Sequence, residues 1–261
     1  MSATPRVVGL FLYPVKSLNS VRVDAATVLP SGALQGDREF ALFDDAGHYV
    51  NGKRHESIHR VRSRFDLANR QVTLHVEGDK PTQTFSLAAG EPNLESWLSQ
   101  YFGFPVQLKQ DLTMGFPDDT ASPGPTIVST ATLEAIASWY PDFTVEEVRA
   151  RFRANIEIGD VPPFWEDGLF TTAESTRPFQ LGAVQFLGVN PCQRCVVVTR
   201  NPVTGEAYPN FQKTFVANRK ETLPDWVERS RFNHFFRLAI NTRVPDSEAG
   251  KTIQIGDPLQ I

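Results

Sequence analysis

Both cysteines of the chain fall within four residues, Cys192-Gln193-Arg194-Cys195, and no other stretch offers nucleophilic or metal chemistry so directly. The plain alternative is two small apolar residues in a core, since free cysteine is among the most buried residue types. Asn190, Gln193, Arg194 and Arg200 are poor company for a core, and a nearby guanidinium favours a thiolate and with it metal or redox chemistry. A structural zinc or an iron–sulfur cluster would want four protein ligands, of which two cysteines supply half. His55 and His59 have metal-ligand spacing, but His-x₃-His far upstream of CxxC is not a finger order, and the pair reads as one polar face. A thioredoxin-like site needs its CxxC beside a βαβ pattern, and a disulfide across so short a loop would stabilise little. There remains a soft metal on one thiolate, with most of its other ligands supplied by a cofactor.

The elements that must hold this pair are β-type. The β-branched run Val196 to Thr199 predicts a strand directly after the second thiol, and Asn201-Pro202 with Thr204-Gly205 predicts a turn after that. The cysteines should therefore sit on a rigid hairpin.

Taken together, NPCQRC followed by VVVTRNPVTGE, YPVKS near the N-terminus, GDREF after it and FRANIEI in mid-chain resemble the MOSC family, in particular the amidoxime-reducing molybdenum proteins and their bacterial counterparts. The resemblance covers nearly the whole chain. It implies a β-rich α+β fold, with an N-terminal MOSC-associated β-barrel-like domain over residues 1–118 and a MOSC β-barrel core with flanking helices over 119–261. It implies a pyranopterin molybdenum cofactor with Cys195 as the thiolate on the metal and Cys192 as a structural neighbour. Lys16, Ser17, Arg38, Arg153, Asn155, Gln193 and Arg194 lie in the matched motifs and become candidate cofactor contacts. Arg suits bidentate phosphate contact and Lys a point-charge one. Thr120 and Ser122, in the loop GFPDDTASPGP, and Phe235, in Phe232-Asn233-His234-Phe235, fall where the family's chain approaches the cofactor. His234 itself reads as structural, having no named partner.

The activity implied is reduction of N-hydroxylated compounds. Two cysteines leave none for an iron–sulfur cluster, so the electrons should come from a separate ferredoxin-like, flavin-reductase or cytochrome-type donor. The alternative is a carrier that delivers molybdenum cofactor, or sulfur as a Cys195 persulfide, without substrate turnover.

Several further elements are legible. Arg6 to Tyr13, Val21 to Leu29, Glu39 to Phe43 and His48 to Val50 have strand character, the last two around Asp44-Asp45-Ala46-Gly47. Arg64 to Leu67, Val72 to Val76 and Gln83 to Leu87 continue the series, and Val106 to Leu108 closes it. Leu94, Trp97, Leu98 and Tyr101 mark a helix that Gly103 stops, and Ser129 to Trp139 a second. Thr144-Val145-Glu146-Glu147 is a capping box. Beyond it Arg153 and Asn155 should share one face of a strand, opposite Ile156 and Ile158. Thr222-Leu223-Pro224 predicts another helix start, and Phe235 to Val244, Thr252 to Ile255 and Leu259 to Ile261 predict strands.

Composition bounds the rest. A net charge of −4 over 261 residues lacks the basic footprint of a nucleic-acid binder. The N-terminal apolar run has no basic flank and is too short to span a bilayer, so the expectation is a cytoplasmic protein without nucleic-acid or membrane partners.

Overall fold

In the computed structural model, which describes residues 4–261, two β-rich units form around separate apolar cores. The chain opens with β1 (Arg6–Leu12), β2 (Val21–Arg22), β3 (Ala25–Thr27) and β4 (Phe40–Phe43), then the meander β5 (Val61–Asp66), β6 (Gln71–Val76) and β7 (Gln83–Ser86). Helix α1 (Pro92–Phe102) and β8 (Gln107–Gln110) complete the first half. Alternation sends Val61 and Phe65, Val72 and Leu74, and Phe85 into one core, which α1 covers with Leu94 and Leu98. The β5–β6 turn is tied by Asp66, whose carboxylate accepts from the Asn69 amide at 3.0 Å. Gly103 ends α1 at φ 77°, a left-handed position that glycine takes without a Cβ penalty. β4 pairs antiparallel with β8.

The second half runs β9 (Ile127–Ser129), α2 (Thr130–Ala137), α3 (Val145–Phe152), β10 (Ile156–Gly159), β11 (Arg177–Leu181), β12 (Val184–Gln193), α4 (Phe211–Glu221), β13 (Arg237–Arg243), β14 (Thr252–Gln254) and β15 (Leu259–Gln260). Its eight-stranded sheet has the order β15-β11-β12-β13-β9-β10-β1-β2, so the chain's first strand is built into the sheet of its second half. A further bridge, Arg6 to Pro258, brings the β1 and β15 sides together and curls the sheet into a barrel-like form. The fold is β-rich α+β, with α2, α3 and α4 packed beside the sheet through Leu133, Ile136, Val148, Phe152, Phe211 and Phe215. Ser129 caps α2 by accepting from the Thr132 amide, and Thr144 caps α3 by accepting from that of Glu147. β12 crosses close over the 3-10 turn Trp165–Leu169: a Cβ on Gly188 would lie 1.6 Å from the Leu169 carbonyl oxygen, so only glycine fits. Among the described residues no helix is long and apolar enough to cross a membrane.

Four sequence expectations are corrected. Val196–Thr199 is a 3-10 turn rather than a strand, and the cysteine pair ends one strand, β12, instead of starting another. Arg153 and Asn155 do not share a strand face, because Arg153 is the left-handed exit of α3 at φ 54° and Asn155 precedes β10. Thr222 closes α4 rather than opening a helix, since its amide bonds back to the Asn218 carbonyl. His48 to Val50 makes only a single bridge, Phe43 to Tyr49.

Candidate functional site

A cleft of about 680 Å³ opens where the loop after β1, the exit of α3 and the end of β12 converge. Its first wall is set by Tyr13. The Tyr13 amide donates to Asp37 Oδ1 at 2.8 Å, and Asp37 in turn pairs with Arg38. Arg38 adopts φ 51° and Ser17 φ 74°, left-handed conformations that are uncommon for non-glycine residues and concentrate at functional sites. The Arg38 guanidinium lies 5.1 Å from the Tyr13 ring centroid and donates to Asn155 Oδ1 at 3.4 Å.

Arg153 stacks on the same ring at 4.1 Å, and among the described residues no carboxylate pairs with it. Burial, reinforced by the neighbouring Arg38 and resisted by Tyr13, Asp37 and Asp118, pulls Arg153 down to about 10. Burial likewise raises the Tyr13 hydroxyl, against the pull of Arg153 and Arg38. Asn155 is fully enclosed. Its side chain accepts from the Thr126 amide at 3.2 Å and donates to the Phe11 carbonyl at 3.0 Å, so it braces the wall from behind.

Lys16, itself buried, donates to the Phe116 carbonyl at 2.9 Å and to Asp118 Oδ1 at 2.7 Å. Burial lowers its pKa, with Asp118 opposing. For Asp118 burial favours the neutral acid, but Lys16, with Lys53 and Arg38, overrides it and holds the carboxyl at about 2. Asp118 is two-thirds exposed, so this contact is a screened latch at the rim and not a buried ion pair.

The cysteines form the opposite side. Both are free and half-buried. Arg194 Nη1 donates to Cys192 Sγ at 3.2 Å, so the guanidinium that the sequence places near both thiols engages Cys192 and not Cys195. Cys195 stands in extended backbone at the head of the Val196–Thr199 turn, and its side chain makes no cap. Arg151 fixes the turn that follows. Its Nη1 donates to the carbonyls of Val198, at 3.1 Å, and Arg200, while Glu147 accepts from its other nitrogens. Buried nitrogens on Arg194, Arg200, Arg237 and His59 have no partner within the protein.

Of the residues singled out from sequence, Lys16, Ser17, Arg38, Ser122, Arg153, Asn155, Gln193, Arg194 and Cys195 border this one cleft. Thr120 is exposed and does not line it, and Phe235 stacks on Phe232 at 6.1 Å against the barrel core. His55 and His59 part company, contrary to the single polar face expected: His55 packs 5.1 Å from Phe104, whereas His59 lines the cleft. Among the described residues no three His, Cys, Asp or Glu side chains gather to hold a metal, so the His55, His59, Cys192, Cys195 set does not assemble. Sequence reasoning missed Tyr13, although it opens YPVKS, and also missed Asp118 and Arg151, for which no spacing gave notice; it noted His59 only through its spacing from His55, as half of a polar face.

Residues 4–104 match the family described as the MOSC N-terminal beta barrel domain, and residues 126–260 match the MOSC domain. A molybdenum cofactor sulfurase of Drosophila mojavensis is 26% identical over 240 residues, covering 80% of this chain and 30% of that protein. One from Caenorhabditis briggsae is 24% identical over 259 residues, covering 88% of this chain and 34% of that protein. The human molybdenum cofactor sulfurase is 22% identical over 256 residues, covering 79% and 28%. The chain thus spans about a third of the length of these curated relatives. A crystal structure of a hypothetical protein aligns with 99% of this chain at a TM-score of 0.39 and 9% identity, too distant to inform the site.

Proposed function

The chain belongs to the MOSC family, and from that premise we propose that the cleft binds a pyranopterin molybdenum cofactor and that the protein reduces N-hydroxylated compounds with electrons from a separate donor. The observation that carries this reading is the meeting, in one cleft, of the half-buried Cys195 thiol and the Arg153 guanidinium without a carboxylate partner. A buried cation without a counter-ion is costly, and an anionic ligand relieves it. The donor set fits the group: a thiolate for a soft metal, guanidiniums and an ammonium for a phosphate, and a volume within the usual range for small ligands.

Cys195 would be the protein's ligand to the metal. Arg153, Arg38, Lys16 and Ser17 would hold the anionic end, with Ser122, Gln193 and Arg194 bordering the ring system. When bound, the cofactor supplies two-electron redox chemistry. The net reaction consumes two electrons and two protons, converts N–OH to N–H and releases water. The chain's own part is positional. Tyr13 fixes both guanidiniums by its ring, Asn155 locks the β10 entrance to β1, and Arg151 keeps the Cys195 turn from drifting.

The test begins with expression in a host that makes the cofactor and elemental mass spectrometry of the purified chain. Near-stoichiometric molybdenum is expected, and Cys195→Ala should lose both the metal and reduction of an N-hydroxylated test compound by an artificial electron donor. A fully loaded, fully active Cys195→Ala protein would sink the assignment.

A second reading is favoured by one specific finding, that the curated relatives aligned over most of this chain are molybdenum cofactor sulfurases. In it the same cleft holds the cofactor for delivery, or Cys195 carries sulfur as a persulfide. Metal-loaded protein without reductase activity would favour this carrier over the enzyme.

A further inference from the structure

The cleft contains one imidazole, and nothing above assigns it a role. His59 sits on the 3-10 turn Glu56–Arg60 and lines the cleft with its Nε2 buried and without a hydrogen-bond partner. Its Nε2 edge lies over Gly52, another residue of the cleft lining, where a Cβ would lie 2.9 Å from Nε2 and only glycine leaves the ring its place. Four guanidiniums bear on it, Arg62 from β5, Arg151 from α3, Arg153 from the α3 exit and Arg200 after the Val196–Thr199 turn. Three of them are compensated by carboxylates. Arg151 pairs with Glu147 at 2.6 Å, Arg200 with Glu56 at 2.5 Å and Arg62 with Glu77 at 3.5 Å. Arg153 makes no ion pair among the described residues, with Asp37 and Asp118 acting on it only through space, and its charge is the largest of the four at His59.

We propose that His59 is the proton-exchanging group of the cleft: Nε2 forms a hydrogen bond with a phosphate-type anion held at Arg153, and the imidazole takes up a proton from solvent as that anion binds. This rests on the reading of the cleft as an anion site. A buried ring nitrogen with no partner is an unfilled hydrogen-bond position, and a bound oxyanion fills it. Burial and then the Arg153, Arg200, Arg151 and Arg62 charges hold the ring down at about 4 and so keep it neutral near pH 7. An anion on Arg153 reverses the second of these causes at its largest contributor. Protonation and anion binding are then linked, each favouring the other.

The experiment is calorimetric titration of the cofactor-free full chain with inorganic phosphate at about pH 5.5, in two buffers of different ionisation heat. The pH lies between about 4, where the protein's own groups hold His59, and the ordinary value of 6.5. Net proton uptake is expected in the wild type and not in His59→Asn, with wild-type affinity rising by up to about tenfold per pH unit on acidification. Phosphate binding whose proton uptake is absent, or is unchanged in His59→Asn, overturns the proposal and leaves the anion site intact. No phosphate binding at all overturns the anion-site reading with it. The wild type also decides the matter by proton NMR, even if the variant does not fold. Of the chain's five histidines, one must titrate near 4 without phosphate and move toward the ordinary range with it; no such movement refutes the linkage. In cofactor-loaded protein, loss of His59-linked phosphate binding supports the cofactor as the source of the anion, and its persistence supports a substrate-side anion.

Discussion

Replacing Arg151 by methionine isolates what holds Cys195 in place. The Arg151 side chain is only 1% exposed, donates to two carbonyls of the segment after Cys195, pairs with Glu147 and lies 4.4 Å from the Phe143 ring centroid. Methionine keeps most of the volume and removes every polar contact. The Val198 and Arg200 carbonyls lose their guanidinium donor, at about 1–3 kcal/mol for each one left buried and unsatisfied. Breaking the pair with Glu147 adds to this, for a total on the order of 3–5 kcal/mol. At about 2–4 °C per kcal/mol for a chain of this size, the melting temperature should fall by roughly 6–20 °C. Glu147→Gln, which keeps the two carbonyl contacts, should cost about 1–2 kcal/mol. Thermal unfolding by circular dichroism reads both variants, and peptide-resolved iodoacetamide labelling reads whether Cys195 becomes more accessible in Arg151→Met. A melting temperature within about 2 °C of wild type, with unchanged Cys195 labelling, would show that Arg151 is not the staple described.

Two further outcomes are expected. Glu166 is enclosed beside Asp167, and burial, then the charge of Asp167, raises it to about 7 from 4.5. The folded protein therefore binds the extra proton between those values, so this group's contribution is greatest below pH 4.5, declines up to about 7 and is flat above it. Glu166→Gln should raise stability at pH 8 by about 3 kcal/mol or less and remove that slope, as read by urea unfolding at pH 5 and pH 8; a variant less stable than wild type at pH 8 would contradict this. Arg153→Asn should stabilise the cofactor-free chain by about 1 kcal/mol or less, since it removes a half-buried cation without an ion-pair partner from a left-handed position that Asn tolerates. It should also weaken phosphate binding by about tenfold or more. Unchanged phosphate affinity would remove Arg153 from the anion site.

What the sequence disclosed follows how local each cause is. The β5–β6 hairpin and α1 were readable because alternation, a turn carboxylate and a C-terminal glycine act within a few residues. The strand expected at Val196–Thr199 fails because Arg151, distant in sequence, takes two carbonyls there and tertiary contacts override β-branched propensity. α4 was missed for the opposite reason. Asn210 gives it no side-chain cap, and Arg219 continues the buried stripe of Phe211 and Phe215 where an apolar residue would have marked a helix. In the site, motif residues led to Cys195, Arg38 and Arg153, while His59, noticed only for its spacing from His55, gave no sign of lining the cleft because that place depends on Gly52 and on arginines far along the chain.

The pairing of β1 with β10 has a consequence for synthesis. Val7 finds its partner Ile158 some 150 residues later. At a translation rate of about 5–20 residues per second, the edge of β1 that faces β10, Val7 to Leu10, waits roughly 10–30 s for its partner, while Phe11 and Leu12 find β2 at once. Through that interval it is an unpaired edge, open to wrong partners, and the yield of folded protein should depend on what shields it on the ribosome.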